Sequence, residues 1–571
     1  MTRLLLASAL GALFVASGAF AQTAAERAAA QAEEIARRNA SANKAPVPAA
    51  PAGEQPSRPA ASGAQASGNC LPIGRIDVKG VRLLRAGQLD KAKSGFEGRC
   101  LGITELNAVL QSITFAYIDK GYIAARPYLP EQDLSDGQLE VVVVEGALEG
   151  IEMPEGTPQQ VATAFPGMVG KPVNLRDVEQ GLDQIRRLPS VDASMELQAG
   201  QEQGGSVLAV DRRAGRSVYG SIGVDNQGGA ATGEFQTRLS LGVDDLLGLN
   251  DRLSLSYQRS MADTPFNFDG RRPFGDTYTA SWDVPYGYWT FGLNATKNEY
   301  RSEVAGAVST IKTSGNSQSY GATASRVLHR NQISKTTLSF GLTQKATESF
   351  IAGTRIEVAS RRLSIASLSL GHSRQLAGGQ LSASLGLQKG LTSFDAFDDR
   401  AAPAGSPKGQ FRKITYSLGY TKPFEIAGQK VVYDGALSGQ GTPDLLFGSE
   451  QMSVGGLSSV RGVASAVLFG NHAIKFRNEL SLPLAKHKDA NMARLFGSFE
   501  PYVALDVGKV AAQSQFGIQG GTLSGAAIGL RNRGGKIALD ISYADVLRAP
   551  AHLPNLKSEP GVWSASLSVS F

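Results

Sequence analysis

WSASLSVSF, residues 563–571, ends the chain with a strict alternation of apolar and small polar side chains. Trp563, Leu567 and Phe571 fall on one face of an extended strand and serines occupy the other, because successive side chains of a strand point to opposite faces. Such a strand meets an apolar medium on one side and a polar medium on the other. The same pattern recurs through more than half of the chain and decides the fold class.

Residues 214–571 carry about sixteen such segments, separated by turn residues. Examples are SVYGSIGV, RLSLSYQ, ITYSLGY, YVALDVG and IALDISYA. A spacing of roughly 22 residues per strand and connection fits membrane strands of about ten residues, joined by alternating short turns and long loops. Short turns are predicted at 285–287 and 423–428, and long loops at 391–409 and 441–470. The sequence therefore predicts an all-β transmembrane barrel of about 16 antiparallel strands, with a secreted β-sandwich or β-solenoid as the alternative.

Three segments precede the folded part of the chain. Residues 1–21 combine a basic start, an apolar run and a small-x-small end, which predicts a secretory signal peptide. Residues 22–40 are rich in Ala, Glu, Gln and Arg, with acids ahead of bases, which favours one slim helix. Residues 41–68 are rich in Pro, Ala, Ser and Gly and predict an extended linker. After the signal peptide, no segment approaches the run of about 18 apolar residues that a transmembrane helix needs.

Two small modules are predicted between the linker and the barrel. In residues 69–148, IGRIDVKGV alternates as a strand, apolar residues from Ile103 to Tyr117 recur at helical spacing, and LEVVVVEG is a β-branched run. Residues 149–213 repeat this order, with an apolar helical stripe from Leu175 to Leu188 and the strand VLAVDR. We expect two consecutive α/β modules that form a weak internal repeat.

Composition excludes several classes of function. The formal net charge of +6 comes from 57 Lys and Arg against 51 Asp and Glu, and these charges are scattered, so the basic patch of a nucleic-acid binder is missing. Two Cys and five dispersed His are too few ligands for a metal site. The sequence also lacks the nucleophile-elbow, zinc-protease and phosphate-binding motifs. We therefore predict no catalytic residues, no metal and no cofactor, and a protein that is not an enzyme.

The two cysteines, Cys70 and Cys100, lie in one segment of a chain that is predicted to be exported. In an oxidising compartment we expect an intramolecular disulfide between them. Two free thiols are the alternative.

Three segments and the last residue resemble a known family. GYIAARPYLPEQDLSDGQLEVVVVEG (121–146) and VNLRDVEQGLDQIRRLPS (173–190) resemble the first and second POTRA modules of two-partner secretion transporters, the TpsB family of haemolysin/adhesin secretion-activation proteins. SVGGLSSVRG (453–462) resembles the tip of that family's sixth extracellular loop. The terminal Phe571 is similar to the signal by which Gram-negative outer-membrane barrels are recognised for insertion. These transporters export haemolysins, adhesins and contact-dependent growth-inhibition toxins, and they share a barrel superfamily with BamA.

The resemblance implies a latch formed by Val460, Arg461 and Gly462. In the family this loop folds back into the barrel, where its arginine pairs with an acidic residue in a D-x-G strand of the inner wall. YVALDVGKV supplies Asp506 and Gly508, and its alternation directs the carboxylate toward the lumen, opposite the apolar residues of the strand. A guanidinium can make bidentate hydrogen bonds there that lysine would reproduce poorly. A solvated loop charge is the alternative.

One departure from the family pattern lies at the tip of this loop. The family usually has an aromatic residue after Arg-Gly, whereas this chain has Val463. The sequence therefore leaves the packing of the loop tip open.

The resemblance also implies function and location. Residues 22–40 would plug the pore at rest, with a disordered segment as the alternative. The POTRA modules would lie in the periplasm and capture a large, unfolded, secreted TpsA-type exoprotein, which the barrel in the Gram-negative outer membrane would export without ATP. Outer-membrane lipid and, during biogenesis, the barrel assembly machinery are further expected partners of a chain that is expected to be monomeric. A BamA-like assembly factor and a passive porin are the alternative functions.

Overall fold

The computed structural model describes the chain from Cys70 to Phe571 except residues 230, 263, 265, 267–271, 306–309, 404 and 465. The predicted signal peptide (1–21), plug helix (22–40) and linker (41–68) lie outside the described residues. No helix in the part of the chain that is described is long and apolar enough to cross a membrane.

The first module is a small sheet packed against two helices. Its elements are β1 (Leu71–Ile73), β2 (Arg75–Lys79), α1 (Ala86–Lys93), β3 (Arg99–Leu101), α2 (Ile103–Ile118), β4 (Arg126–Tyr128) and β5 (Gln138–Val144). β5 pairs parallel with β2 and antiparallel with β4, and β1 pairs with β3. Ile113 and Tyr117 of α2 share a fully buried core with Leu139 and Val141 of β5. The helical spacing and the β-branched run of the sequence are confirmed as a helix and a strand.

The second module repeats this design. Its elements are β6 (Ala147–Glu152), α3 (Pro158–Ala164), α4 (Leu175–Arg186), β7 (Val191–Ala199) and β8 (Gly205–Ala214). β8 lies between β6, its parallel partner, and β7, its antiparallel partner. The predicted helix is α4, and the Asn174 side chain caps its first turn by accepting a hydrogen bond from the Arg176 amide. β6 begins two residues ahead of the predicted module boundary, because Ala147 and Leu148 already pair with β8.

Sixteen long antiparallel strands close into a barrel. They are β9 (Val218–Asp225), β10 (Phe235–Asp244), β11 (Arg252–Met261), β12 (Phe274–Tyr286), β13 (Trp289–Ala305), β14 (Thr310–Arg330), β15 (Ser334–Ile351), β17 (Arg361–Leu376), β18 (Gly379–Leu391), β19 (Arg412–Ile426), β20 (Gln429–Gly441), β23 (Ala473–Ser481), β24 (Ser498–Val510), β25 (Gly521–Arg533), β26 (Ile537–Arg548) and β27 (Val562–Ser570). The shorter elements are β16 (Thr354–Arg355), β21 (Met452–Gly455), β22 (Ala466–Gly470) and α5 (Ala490–Phe496). β27 pairs with β9 and closes the ring, so the predicted barrel is confirmed.

Alternation along the strands separates an outer face from an inner face. On β27, the Trp563 side of the strand is open, at 65% exposure, whereas Ser564 on the other side is only 5% exposed. On β24, Val503 and Leu505 are exposed and Asp506 is fully buried. Apolar side chains therefore cover the outside of these strands and polar ones face the lumen, as the alternation in residues 563–571 predicts.

The barrel has a short-turn end and a long-loop end. Ala427 and Gly428 join β19 to β20, and both have positive φ, as a two-residue type I′ turn requires. Gly287–Tyr288 joins β12 to β13 at the same end. At the other end, long connections follow β18 and β20, and we call the second of these, residues 442–472, the sixth loop. The short turns and long loops thus lie within a few residues of their predicted positions.

Candidate functional site

The sixth loop folds back against the inner wall of the barrel. It contains the antiparallel hairpin of β21 and β22 and rejoins the wall at β23. Val454 and Val460 of the loop are fully buried, and they pack in one apolar cluster with Val510 of β24 and Leu523 of β25. The loop therefore occupies the lumen next to the strand in which the sequence predicts its partner.

Arg461 and Asp506 lie in direct contact inside the barrel. The arginine Nε donates to Asp506 Oδ2 at 2.6 Å, and its Nη2 donates to Asp506 Oδ1 at 2.8 Å. The Arg461 backbone amide also donates to Oδ2, at 3.1 Å. The pair is bidentate and buried, an arrangement that the planar guanidinium allows and the single ammonium of lysine does not.

A second carboxylate, which the sequence reasoning missed, completes the surroundings of this arginine. Glu479 of β23 accepts from Arg461 Nη1 at 2.8 Å, and its other oxygen contacts Arg531 Nη2 at 2.6 Å. Arg531 in turn pairs with Glu500 at 2.7 Å. We call Arg461 with Asp506 and Glu479 the tip latch. Alternation along AIKFRNELSL could have identified Glu479, because the glutamate lies on the face opposite Phe476 and Leu480, which are exposed.

Glycines let the loop backbone approach the wall. A Cβ on Gly525 would collide with the Arg461 carbonyl oxygen, and one on Gly508 would collide with the Val454 side chain. Gly462 has a φ of +109°, a conformation that side chains rarely adopt, and a Cβ there would lie 2.6 Å from the Asp545 backbone. The glycine of the D-x-G pattern therefore provides space for the loop beside the aspartate.

Val463 occupies the position at which the family usually has an aromatic residue. It is buried in the same apolar cluster as Val454 and Val460, with Val546 of β26 nearby. The smaller side chain is thus accommodated by branched aliphatic neighbours, and the loop tip is packed without an aromatic ring.

The second module is docked on the short-turn end of the barrel through helix α4. Gln184 Nε2 donates to the Gly287 carbonyl oxygen at 2.7 Å, and the Tyr288 hydroxyl donates to Asp177 at 2.6 Å. Burial raises the pKa of Tyr288 above its usual value, and the hydrogen bond to Asp177 raises it further. Arg330 Nη1 contacts Asp183 Oδ2 at 2.5 Å. Helix α4 therefore rests on two successive turns of the barrel.

A further set of contacts ties the module to the turn between β10 and β11. Asn250 Nδ2 donates to the Gln160 carbonyl oxygen at 2.8 Å and to Thr163 Oγ1 at 2.9 Å, so both contacts reach helix α3. Arg187, at the end of α4, donates to the Asn250 carbonyl oxygen at 2.6 Å and pairs with Asp283. Three barrel turns thus hold the second module on one side of the pore mouth.

Cys70 and Cys100 are joined by a disulfide in the first module, with their Cα atoms 5.4 Å apart. Cys100 lies in β3, directly opposite Pro72 of β1. The bond therefore fastens the first strand of the module, where the linker ends, to the strand before helix α2.

The terminal residue lies on the lipid-facing side of the closing strand. The Phe571 amide donates to the Gly220 carbonyl oxygen at 3.0 Å, and the Gly220 amide donates back at 3.2 Å. The phenyl ring of Phe571 is exposed on the outside of the barrel. Its role as an insertion signal stays a prediction.

Family comparison identifies the kind of molecule. The sequence pattern of the haemolysin secretion/activation protein ShlB/FhaC/HecB family matches residues 204–532. The chain belongs to this family. A ShlB-type POTRA pattern matches residues 71–146, which span the first module, and a further POTRA pattern matches residues 147–199, which span the second module from β6 to the end of β7.

Individual members of the family are similar over most of their length. The outer membrane transporter CdiB of Escherichia coli is 33% identical over 497 residues, which cover 85% of this chain and 81% of that protein. The haemolysin transporter protein ShlB of Serratia marcescens is 29% identical over 454 residues, which cover 79% of this chain and 78% of that protein. The solved structure of CdiB from Escherichia coli superposes with a TM-score of 0.83 at 30% identity, covering 96% of this chain and 98% of that chain.

The chain is therefore an outer-membrane transporter of two-partner secretion, and its two modules are POTRA domains in the periplasm. The short-turn end of the barrel, which the second POTRA domain contacts, is the periplasmic end. The sixth loop consequently starts and ends at the extracellular end.

Proposed function

We propose that this transporter captures an unfolded TpsA-type exoprotein in the periplasm and exports it through the barrel lumen to the cell surface. Export needs neither ATP nor catalytic chemistry in this proposal, because the chain acts as a receptor and a conduit. A haemolysin, an adhesin and a growth-inhibition toxin are the alternative cargoes. The observation that carries the proposal is the sixth loop, which lies in the lumen with its arginine on a buried wall carboxylate.

In this proposal the tip latch closes the pore at rest. Val460, Arg461 and Gly462 form the part of the loop that docks, and Asp506 and Gly508 form the part of the wall that receives it. A charge pair held in a confined lumen is strong while it stays dry, yet it can be exchanged for water when the loop leaves. The latch therefore suits a gate that has a stable closed state and can reopen.

The POTRA domains are the receptor in this proposal. The sheet order β2-β5-β4 leaves β2 and β4 at the edges of the first domain, and the order β6-β8-β7 leaves β6 and β7 at the edges of the second. An unfolded segment can add to such an edge as a further strand, because edge strands present unpaired amide and carbonyl groups. Capture by strand addition would hold the cargo extended beneath the pore.

Residues 22–40 act as a plug of the resting pore in this proposal. The linker of residues 41–68, extended at roughly 3 Å per residue, is long enough to let the helix leave the lumen while it stays attached. Deleting residues 22–40 should raise the conductance of the barrel in planar bilayers, since a polar lumen is wetted and conducts ions. Equal conductance with and without the segment would show that it is not a plug.

Assembly of the transporter is a further part of the proposal. Phe571 and the alternating strand before it would be recognised by the barrel assembly machinery, and the finished monomer would be surrounded by outer-membrane lipid. Its exposed ring and exposed apolar neighbours on β27 support this role.

Co-expression with a large TpsA-type exoprotein, the proposed cargo, tests the function. We expect the exoprotein to reach the cell surface, as detected by added protease, only when the transporter is present. Arg461→Ala should reduce surface exoprotein sharply while the barrel still inserts, which heat-dependent mobility on a gel can verify. Normal secretion by both Arg461→Ala and Asp506→Ala would contradict the proposed gate.

A further inference from the structure

The sixth loop carries a second buried charge cluster at its other end. Glu450 lies just before β21, and its carboxylate contacts Lys345 Nζ at 2.6 Å and Lys413 Nζ at 2.9 Å. Lys413 Nζ also donates to the Glu450 carbonyl oxygen at 3.1 Å. All three side chains are at most 9% exposed. The base of the loop is therefore fixed by charges, as its tip is.

The surroundings of Glu450 are built from the barrel wall. Gln440 Nε2 of β20 donates to the Glu450 carbonyl oxygen at 3.2 Å. Three residues before the glutamate, the ring of Phe447 lies 4.0 Å from the guanidinium carbon of Arg361 on β17. Leu446 is buried in a small cluster with Phe411 and Ile365. The turn that presents the glutamate is thus held by polar and apolar contacts together.

The two charge clusters engage different parts of the ring and have opposite signs. At the tip, the loop supplies a cation to carboxylates of β23 and β24, whereas at the base it supplies an anion to ammonium groups of β15 and β19. Since β15 and β19 flank β17 and β18 in the ring, the base is attached to a separate arc of the wall.

We propose that Glu450, Lys345 and Lys413 form a base clamp, in which Glu450 is a positioning residue that holds the sixth loop across the lumen independently of Arg461. The loop leaves the lumen only when the base clamp and the tip latch both release. This inference deepens the proposed function, since it rests on the sixth loop being the gate, but its test follows the position of the loop and needs no cargo.

Removing the carboxylate should weaken the base clamp strongly. Glu450→Gln keeps the shape of the side chain but removes the negative charge that both buried ammonium groups contact, and breaking a buried pair on one side is costly. Each lysine variant is milder, because Lys345→Met or Lys413→Met leaves Glu450 with one cation. Added salt should change little, since buried pairs are screened much less than exposed ones.

Chemical labelling of a cysteine on the loop measures its release. Ser459, beside the tip, is only 1% exposed, and the two native cysteines are joined in a disulfide, so Ser459→Cys introduces a single buried thiol. In the full-length transporter we expect Glu450→Gln to speed the reaction of this thiol with a water-soluble maleimide by about tenfold or more. Glu357→Gln, on an exposed extracellular turn, is the matched control and should leave the rate unchanged.

Combining Glu450→Gln with Arg461→Ala tests whether the base clamp holds the loop independently of the tip latch. Two independent attachments predict that the double variant Glu450→Gln/Arg461→Ala reacts faster than either single variant, by about the product of the single effects. A rate no higher than that of Arg461→Ala alone would overturn the proposal, as would a rate for Glu450→Gln equal to that of Glu357→Gln. If Glu450→Gln does not insert, Lys345→Met and Lys413→Met decide, and wild-type rates in both would overturn the base clamp.

Discussion

The extracellular loop and the periplasmic POTRA domain are both attached to the barrel by ion pairs, but in different solvent environments. The side chains of Arg461 and Asp506 are 6% and 0% exposed. In the periplasmic attachment, Arg330 and Asp183 are 11% and 19% exposed, and Lys335 beside them is 37% exposed. The same chemistry therefore stabilises a dry contact at one end of the pore and a partly wetted one at the other.

This difference in solvent exposure predicts how the docking of the loop and of the POTRA domain should respond to substitutions and to salt. Loss of one partner in a buried pair leaves a buried charge without its counter-ion. A single substitution should therefore be enough to undock most of the loop. Partly exposed pairs contribute less each and weaken as salt rises, so the POTRA domain should loosen gradually. The proposed gate should thus release abruptly when one partner is lost, whereas the proposed receptor should detach gradually.

The largest effect is expected at Asp506. Asp506→Ala leaves the Arg461 guanidinium with Glu479 alone and should destabilise the docked loop by about 3–5 kcal/mol, because one buried charge loses its main partner. Maleimide labelling of Ser459→Cys should accelerate accordingly. Asp395→Ala, at an exposed extracellular site, is the control. If Ser459→Cys stays protected from maleimide in Asp506→Ala, the buried tip latch is no more sensitive to substitution than the partly exposed periplasmic ion pairs, and the contrast is wrong.

Loss of the disulfide should come next and should act on the first POTRA domain alone. The bond closes a sequence separation of 30 residues, for which chain entropy gives about 3–4 kcal/mol. Cys100→Ser, combined with Cys70→Ser to avoid a free thiol, should make this domain sensitive to protease while the barrel and the second domain stay resistant. If the first domain is equally resistant to protease in the wild type and in the double variant, its core is stable without the disulfide.

A purely steric change should have an intermediate effect on the loop. Gly525→Ala places a methyl group against the Arg461 carbonyl oxygen and leaves every charge in place, so we expect a loss of about 1–3 kcal/mol in docking, as for other overpacked sites. Gly371→Ala is the matched control, because a Cβ there would meet its nearest neighbour at 3.8 Å. Unchanged labelling of Ser459→Cys in Gly525→Ala would show that the loop can shift without releasing its charges.

The smallest effect is expected at the periplasmic attachment. Arg330→Ala removes contacts to Glu179 and Asp183 and should weaken docking of the second POTRA domain by about 1 kcal/mol, because these groups are partly solvated. Hydrogen exchange of α4 amides should rise, and its dependence on salt should become weaker than in the wild type. Exposed Arg374 on β17 offers the control Arg374→Ala. If the salt dependence of α4 hydrogen exchange is the same in Arg330→Ala as in the wild type, the domain is docked mainly by uncharged contacts such as those of Gly287.

The barrel could be predicted from the sequence because apolar and polar residues alternate in most of the strands that cross lipid. Some individual strands, however, could not be identified from this alternation. β14 spans 21 residues and reads TIKTSGNSQSYGATASRVLHR, with polar residues at most positions on both faces. β25 contains the sequence LSGAAIG, in which small residues replace the large apolar ones. In β25 the reason is packing, since Gly525 must leave room for the loop. In β25 the departure from alternation therefore marks contact with another part of the chain.

The site was predicted in part for a related reason. Asp506 lies in a strand whose alternation fixes its direction, and a loop motif supplied Arg461 as its partner. The partners of Glu450 lie 105 and 37 residues away, at Lys345 and Lys413, and no motif or local pattern links the three. Direction can be read from alternation, but the pairing of distant charges depends on the curvature of the closed ring, which the sequence does not display.

The way in which the ring closes has a mechanical consequence. β27 and β9 meet over the five pairs from Ser566–Asp225 to Ser570–Ser221. The contacts described for Arg461, Gly462 and Glu450 fall on β15, β19, β20 and β23 to β26, and neither strand of this junction supplies one. In the proposed mechanism, separation of β27 from β9 toward the bilayer would thus leave the sixth loop in the lumen, whereas passage of the cargo along the barrel axis would displace it. Lateral and axial opening of the barrel would then be separate events.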